Sequence, residues 1–285
     1  MPILARSFLK FRLVTTSDGS ASLHADDLDE RFHNPAGAYL EARQNYALPA
    51  LALLKSQGRL DRDDETLHLL DACFGLGYNT YAFLQALRFE RHATHPKISH
   101  LKVTAIELDD EPLSLVPQIL SQPCFASIKD DEQSDATPRL DLDIKQEDLR
   151  KSVQELLPNS LDLIFHDAFS PRKMQHLWTK EIFDRYFAAL RPGGALFTYA
   201  TANAVKGGLL AAGFTLYKTA AVGTKPPALM AYKPADADLD ASFELVSIDL
   251  SKPKSLIPFK DPSLSADRQD IEKRRIEEQA LLDPK

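Results

Sequence analysis

The chain has 285 residues, of which 44% are hydrophobic and 26% are charged, and a globular protein of this length can bury a core of its own. The formal net charge of −7 excludes the uniformly basic character of many nucleic-acid-binding proteins, so any contact with a polyanion needs a local basic patch. No apolar run approaches the ~18 residues that span a bilayer, and the two cysteines, Cys73 and Cys124, lack metal-site spacing. We therefore expect a cytoplasmic protein with no signal peptide, membrane segment or metal site.

The first 60 residues are predicted to form an extension ahead of the main domain. Two short strand-like runs flank Asp18-Gly19, which is a strong signal for a hairpin turn. The Ala- and Leu-rich stretch 36–55 then predicts one helix, with a break near Pro49 because proline has no N–H to donate. The expectation for residues 1–60 is therefore a β-hairpin followed by a helix.

From His68 onwards, predicted strands alternate with predicted helices. The strands are expected at 69–72, 101–107, 140–144, 160–165 and 195–199, and the helices at 79–89, 111–120, 148–157, 178–190 and 203–212. Arg191-Pro192-Gly193-Gly194 is expected to end a helix and precede the fifth strand. This alternation predicts an α/β protein with a mostly parallel, Rossmann-like sheet covered on both faces.

Two further strands, 214–221 and 228–232, have a short connection and are expected to form an antiparallel terminal hairpin. The domain predicted by this pattern covers residues 61–235. Residues 236–285 are expected to contain an irregular, proline-containing segment and then an amphipathic helix over 266–282 that packs back on the body.

The segment from Asp71 to Gly77 ends the first predicted strand and opens a helix. Gly75 and Gly77 allow a tight turn and the close approach of a ligand, and the helix N-terminus presents N–H groups to an anion. By itself this segment is also compatible with a tight turn that binds nothing. Its arrangement resembles the first motif of class I methyltransferases, with Cys73 in place of that motif's usual earlier glycine.

Two later carboxylates favour a nucleoside-type ligand. Glu107 ends the next predicted strand, where it can accept hydrogen bonds from both hydroxyls of a ribose. Asp148 opens the helix after the third strand, where it either accepts from an adenine amino group or only stabilises the helix N-terminus. A dinucleotide fingerprint would have glycine where Thr80 stands and an acid earlier than Glu107, and no P-loop motif is present. S-adenosyl-L-methionine is therefore the expected cofactor.

The fourth predicted strand ends in a second group of candidate residues. Ligands of open α/β sheets bind at the carboxyl ends of the strands, which places Asp167 at the site. A carboxylate there can hold an amine substrate and accept its proton, and we predict Asp167 and Phe169 as catalytic residues. Phe169 and Trp178 are candidates for the wall of the site. Packing in the core is an equal alternative for Phe169 and the favoured one for Trp178. His166 is expected to face the opposite layer and to be structural.

Several stretches carry a family resemblance that spans nearly the whole chain. They are LDACFGLGYN at 70–79, HDAFSPRK at 166–173, LWT at 177–179, LRPGG at 190–194 and PFKDPSLS at 258–265, with Thr198-Tyr199, Asp18-Gly19 and Glu41-Ala42-Arg43. With these stretches, the chain resembles the methyltransferase part of the MnmC-type tRNA 5-methylaminomethyl-2-thiouridine biosynthesis enzymes. The resemblance implies a class I methyltransferase fold and methylation of the aminomethyl nitrogen on the wobble uridine of tRNA.

The resemblance also implies tRNA as a partner, whereas the candidate site residues follow from their positions at the predicted strand and helix ends. Two-domain members carry an FAD-dependent domain, for which this chain has no second nucleotide fingerprint, so we expect a stand-alone methyltransferase. The cofactor-binding candidates are Asp71, Gly75, Gly77, Asn79, Glu107, Asp148 and Asp167. The candidates for contact with tRNA are Arg172, Lys173, Trp178, Lys206 and Lys225.

Two other functions remain open on sequence alone. The acidic balance equally suits a methyltransferase or aminopropyl-type transferase that acts on a small cationic amine. The segments 200–208 and 224–227 are also less basic than the family resemblance leads us to expect. The remaining possibility is a binding module that has the methyltransferase fold without activity. The presence of Gly75, Gly77, Glu107 and Asp167 favours an enzyme.

Overall fold

The computed structural model describes residues 9–62, 65–94, 98–130, 138–219, 227–235, 239, 242–249 and 251–282. The chain divides into two compact units, Met1–Asp148 and Leu149–Lys285. Each unit contributes parallel strands to the main sheet, and each is described by itself.

The first unit begins with a small antiparallel sheet. Its strands are β1 (Phe11–Thr15), β2 (Ala21–Ala25) and β3 (Glu30–Arg31), in the order β1-β2-β3. Between β1 and β2, Gly19 adopts φ 83°, and the Asp18 carboxylate accepts hydrogen bonds from Thr16 Oγ1 at 2.8 Å and the Ser20 N–H at 2.9 Å. These local bonds close the turn that Asp18-Gly19 predicted.

A long helical segment follows the small sheet. It consists of α1 (Ala38–Ala42), a π-helical turn (Arg43–Ala47) and α2 (Leu48–Ser56). Pro49 has no N–H, and its ring would clash with the carbonyl of Asn45 in a regular helix, so a wider turn relieves both problems. The break expected near Pro49 is therefore confirmed as a π turn within the helical segment.

The first unit also holds three parallel strands of the main sheet. These are β4 (Glu65–Ala72), β5 (Ile98–Glu107) and β6 (Arg139–Gln146), in the order β6-β5-β4. The helices of this part are α3 (Tyr78–Thr94), α4 (Asp110–Leu120) and α5 (Ala126–Asp130). Parallel pairing brings the carboxyl ends of β4 and β5 to one edge, where Ala72 lies opposite Ile106.

The second unit holds the other four strands. They are β7 (Leu161–His166), β8 (Leu190–Thr198), β9 (Thr215–Lys218) and β10 (Leu229–Tyr232), in the order β7-β8-β10-β9. β7 and β8 are parallel, whereas β10 pairs antiparallel with both β8 and β9. The main sheet thus has seven strands in the described residues, and the predicted fold class, mostly parallel with an antiparallel terminal hairpin, is confirmed.

The helices of the second unit are α6 (Leu149–Ser152), α7 (Lys180–Ala189), α8 (Asn203–Ala211) and α9 (Arg268–Leu281). The helix predicted over 148–157 is shorter than expected, because α6 gives way to a 3₁₀ turn at Val153–Glu155. Pro158 is the physical reason, since the residue before a proline avoids the α-helical region. At the other end of the unit, the helix expected over 266–282 is present as α9.

One local prediction was wrong. Arg191-Pro192-Gly193-Gly194 does not precede the fifth strand but lies within β8. The register steps from Leu161 opposite Leu190 to Leu163 opposite Ala195, so these four residues form a bulge against β7. Gly193 takes φ 86°, and its N–H donates to the Lys233 carbonyl at 2.9 Å. Proline is tolerated at a bulge because no ladder hydrogen bond is required from it there.

The C-terminal helix packs back through the segment 253–261, which we call the strap. Gly207 on α8 admits the strap so closely that an added Cβ would lie 1.7 Å from the Leu256 carbonyl oxygen. Arg275 of α9 donates from Nε to the Ile257 carbonyl at 2.9 Å and lies over the Phe259 ring. These bonds tie α8, the strap and α9 together. Among the described residues, no helix is both long and apolar enough to cross a membrane.

Candidate functional site

The segment between β4 and α3 turns through three left-handed residues. Cys73 has φ 63°, Gly75 has φ 56° and Gly77 has φ 81°. The Phe74 N–H donates to the Ile106 carbonyl and the Gly77 N–H to the Phe74 carbonyl, each at 2.9 Å. Glycine takes this conformation without steric cost, whereas Cys73 takes it with some strain. Cys73 stands where the first motif of class I methyltransferases usually has glycine. It thus keeps a backbone conformation that glycine adopts readily.

The two glycines are also required by the surrounding rings. A Cβ on Gly77 would lie 2.7 Å from Cζ of Phe74 and 2.8 Å from Cε2 of Tyr81. A Cβ on Gly75 would lie 3.3 Å from two ring carbons of Phe32. Aromatic side chains of the first unit therefore approach both glycines closely. The approach of a ligand to them stays a prediction.

Glu107 connects the end of β5 to this loop. Its Oε2 accepts from the Gly75 N–H at 2.8 Å, and its Oε1 accepts from the N–H groups of Leu108 at 2.8 Å and Asp109 at 3.0 Å. Burial raises the pKa of the carboxyl, and the three backbone N–H groups partly offset that rise. Each carboxylate oxygen has two lone pairs, so these three bonds leave one acceptor site, on Oε2, for a hydroxyl group.

The other cofactor candidates of the first unit lie at element ends. Asp71 is fully buried in β4, and its Oδ2 accepts from Thr80 Oγ1 at 2.6 Å, which braces the first turn of α3. Asn79 is buried in that same turn, and Asp148 is half-buried directly before α6. Burial raises the pKa of Tyr81 to about 12, with the charge of Asp71 as a second cause. Direct contacts of these side chains with a cofactor stay predictions.

In the second unit, the predicted catalytic residues follow β7 directly. Asp167 and Phe169 are half-buried. Two side chains hold their loop: Trp178 donates from Nε1 to the Phe169 carbonyl at 2.8 Å, and the Tyr199 hydroxyl donates to the Ala168 carbonyl at 2.9 Å. The loop is therefore held at Ala168 and Phe169, the two residues that follow Asp167.

Trp178 and His166 pack against each other next to this loop. Both are fully buried, and their rings meet edge to face with centroids 4.4 Å apart. His166 Nδ1 lies 3.1 Å from the Tyr186 hydroxyl, and burial lowers the pKa of His166 to about 3. His166 is thus neutral near pH 7 and packed within the unit, which agrees with the structural role expected for it. Trp178 supports the loop, and its contact with a substrate stays a prediction.

The basic candidates occupy one edge of the second unit. Arg172 is exposed and Lys173 is half-buried in the loop after β7, and Lys206 is half-buried on α8, which follows β8. Because β7 and β8 are parallel neighbours, the segments after them leave the sheet at the same edge. Lys225 lies outside the described residues.

The small N-terminal sheet is a neighbour of the loop that the sequence did not predict. Phe32 contacts Gly75, and Tyr78, the first residue of α3, donates from its hydroxyl to the Ala21 carbonyl at 2.8 Å. Neither contact has a local signal, because each joins residues far apart in sequence. The signal that was available is the aromatic pair Phe32-His33 at the end of the hairpin segment.

The chemistry of the first unit fits S-adenosylmethionine. The 17-residue helix α3 begins right after the loop, and its first N–H groups suit the methionine carboxylate. Glu107 offers a carboxylate to the ribose hydroxyls. Groups of three or more His, Cys, Asp or Glu side chains that could hold a metal ion are absent from the described part of the chain.

Part of the chain matches a known protein family. Residues 113–234 match the family model described as S-adenosyl-L-methionine-dependent methyltransferase, a stretch that includes Asp148 and Asp167. The chain is 26% identical over 284 residues to the uncharacterized protein MJ0670 of Methanocaldococcus jannaschii, covering 96% of this chain and 74% of that protein.

One solved structure shows the same fold. The crystal structure of MnmC2 from Aquifex aeolicus is similar with a TM-score of 0.72 at 21% identity, over 97% of this chain and 87% of that one. A probable spermidine synthase from Corynebacterium glutamicum is similar with a TM-score of 0.49 at 14% identity, over 83% of this chain and 80% of that one. Residues 113–234 therefore match the S-adenosyl-L-methionine-dependent methyltransferase family, and the chain shares its fold with MnmC2 from Aquifex aeolicus.

Proposed function

We propose that this chain is an N-methyltransferase that methylates the aminomethyl nitrogen of the modified wobble uridine in tRNA. The observation that carries the proposal is the half-buried Asp167, whose loop directly follows β7 and is tied down by Trp178 and Tyr199. The motif around Asp167, which resembles that of the MnmC-type enzymes, and the similarity in fold to MnmC2 support the choice of substrate.

The reaction needs little acid–base machinery. Bound S-adenosylmethionine supplies a methyl group on a positively charged sulfur. The amine nitrogen forms the new N–C bond while the S–C bond breaks and its electron pair returns to sulfur. The amine must be neutral and in line with that methyl group, so most of the rate comes from orientation. In our proposal Asp167 accepts N–H hydrogen bonds from the amine and takes up the proton that it releases.

The first unit is assigned the cofactor. In this proposal the loop 71–77 and the N-terminus of α3 bind the methionine end, and Glu107 binds the ribose. Asp148 is assigned to the adenine amino group, which suits its position directly before α6. The buried Asp71 acts by bracing Thr80 and so keeps the first turn of α3 in place.

Phosphate contacts are assigned to a local group of cations. Arg172, Lys173 and Lys206 leave the sheet at the same edge as Asp167, and Lys225 is proposed on sequence alone. A local group is required because the chain as a whole carries a net charge of −7. Such contacts position the tRNA without reading its sequence, and they weaken as salt is added.

A methylation assay tests this function. Labelled S-adenosylmethionine is incubated with tRNA that carries the aminomethyl uridine but lacks the final methyl group. Incorporation by the wild-type chain supports the proposal, and its absence with competent tRNA overturns it. Asp167→Asn is expected to lose turnover by about a hundredfold or more and to keep cofactor binding by calorimetry. The matched control is Asp184→Asn on α7, whose carboxylate pairs with Lys180 at 2.7 Å and lies 43% exposed.

A small cationic amine is the second candidate substrate. The net charge of −7 attracts cations to the protein, and Asp167 would hold a polyamine as well as an aminomethyl group. The same assay with free polyamines in place of tRNA separates the two. Transfer to polyamines alone would replace the tRNA proposal. If calorimetry detects no binding of S-adenosylmethionine at all, the chain is instead a binding module that has the methyltransferase fold.

A further inference from the structure

The small N-terminal sheet presents an aromatic ring to the cofactor loop. Phe32 follows β3 directly, and its N–H donates to the Leu23 carbonyl at 2.9 Å, which fixes its backbone to β2. Its ring carbons Cδ2 and Cε2 lie 3.3 Å from the place where a Cβ on Gly75 would be. The rings of Phe11 and Phe32 meet edge to face, with centroids 5.4 Å apart. Phe32 remains half-buried in spite of these contacts.

A second set of bonds ties the same sheet to the other end of the loop. The Tyr78 hydroxyl donates to the Ala21 carbonyl at 2.8 Å and accepts from Gln122 Nε2 at 2.7 Å. Gln122 Oε1 accepts in turn from the Ala21 N–H at 2.8 Å. The His33 ring lies edge-on to Tyr78 with centroids 5.1 Å apart.

The sheet thus contacts the loop at Gly75 and immediately after Gly77. These contacts hold the Phe32 ring against the loop without the help of a ligand. The sheet differs in this respect from a lid that closes on binding.

We propose that Phe32 is a positioning residue that packs against the methionine end of S-adenosylmethionine beside its sulfonium. The inference rests on the proposed placement of the cofactor at loop 71–77. In that placement the α3 N-terminus would hold the methionine carboxylate, and the sulfur, a few bonds away, would come beside the ring that approaches Gly75. An aromatic ring attracts a cation and excludes water from it.

The same ring would distinguish the cofactor from its product. Methyl transfer converts the sulfonium into a neutral thioether, and the cation–π attraction disappears with the charge. Phe32 therefore favours binding of S-adenosylmethionine over S-adenosylhomocysteine and eases product release. Orientation of the methyl group by a fixed ring also serves the in-line transfer.

The test compares both ligands on Phe32→Leu and Phe32→Tyr by calorimetry. Phe32→Leu is expected to weaken the binding of S-adenosylmethionine about threefold to tenfold more than that of S-adenosylhomocysteine. Leucine keeps the apolar bulk but has no π face to attract a cation. Phe32→Tyr is expected to restore the wild-type ratio of the two dissociation constants. An equal change for both ligands, or no change, would overturn the proposal.

Phe11→Leu is the matched control, because Phe11 belongs to β1 of the small sheet and its ring packs against that of Phe32. It is expected to keep the ratio of the two dissociation constants, and thermal unfolding of all three variants verifies that each is folded. A ratio that Phe11→Leu changes as much as Phe32→Leu does would overturn the specific role of Phe32. Failure of the wild-type chain to bind S-adenosylmethionine is a separate result, which defeats the proposed cofactor site itself.

Discussion

The Glu107 carboxylate accepts a hydrogen bond from the backbone N–H of Gly75 at 2.8 Å, and so joins the end of β5 to the loop after β4. The same side chain accepts two more N–H groups at the start of the next segment. Glu107 therefore has a role in the fold as well as the proposed role toward the ribose. Its three N–H partners orient both oxygens before any ligand arrives.

Glu107→Gln is expected to weaken the binding of S-adenosylmethionine about tenfold or more. The amide nitrogen cannot accept a hydrogen bond, and the charge-assisted bonds of the carboxylate are lost. Acid should act in the same direction. Burial raises the pKa of Glu107, so affinity is full above that pKa and is lost as the pH falls through it, at a pH above the ordinary 4.5. Calorimetry against pH measures both effects. Glu111→Gln, an exposed acid in the first turn of α4, is the control and should bind as the wild type does.

Gly77→Ala is expected to destabilise the first unit by ~3 kcal/mol or more, because left-handed strain adds to overpacking. The new Cβ would lie 2.7 Å from Phe74 and 2.8 Å from Tyr81. Gly58→Ala is the matched control, since Gly58 has φ 61° with no neighbour within 4 Å of an added Cβ. It should cost only about 1 kcal/mol. Urea unfolding measures both changes, and equal losses would show that backbone strain alone acts at Gly77.

The sequence predicted those parts of the fold that local patterns encode. The alternation of strands and helices, the turn at Asp18-Gly19 and the loop ending at Gly77 each depend on residues that are close along the chain. Glu107 ends β5 and Asp167 follows β7, as the strand pattern predicted for each, while their roles in binding stay predictions. These features are independent of which side chains meet across the unit.

The features that the sequence missed depend on distant partners. The bulge at Arg191–Gly194 is satisfied by Lys233, which comes after β10 and gives no signal near Pro192. The contact of Phe32 with Gly75 likewise requires the small sheet to be placed against the loop. The sequence favoured burial of Trp178, but its ring partners His166 and Tyr199 follow only from packing. Periodicity identifies such residues as apolar or polar but does not choose their neighbours.

Trp178→Phe is expected to lower kcat about tenfold and to leave the dissociation constant of S-adenosylmethionine within about twofold. Phenylalanine keeps an aromatic ring against His166 but cannot donate to the Phe169 carbonyl, so the loop that carries Asp167 loses one of its two anchors. Steady-state kinetics measures the change in kcat, and calorimetry measures the dissociation constant of S-adenosylmethionine.

Tyr199→Phe removes the other anchor, the hydroxyl that donates to Ala168, and provides the comparison for Trp178→Phe. It should lower kcat in the same sense without affecting cofactor affinity. If either variant lost cofactor affinity in parallel with turnover, the loop would serve the cofactor and not the amine.

Acid is expected to destabilise the second unit through His166. Burial lowers the pKa of this histidine from 6.5 to about 3, so the unfolded state binds a proton at pH values where the folded state does not. The neutral, folded form is favoured fully above pH 6.5, and stability falls as the pH drops from there towards 3. Between pH 7 and pH 5 the loss from this one group is about 2 kcal/mol. His166→Asn, which keeps a polar atom near the Tyr186 hydroxyl, should be less stable at pH 7 yet lose about 2 kcal/mol less than the wild type between the two pH values. Urea unfolding at pH 7 and pH 5 compares the two chains, and equal losses would mean that His166 does not resist protonation in the folded protein.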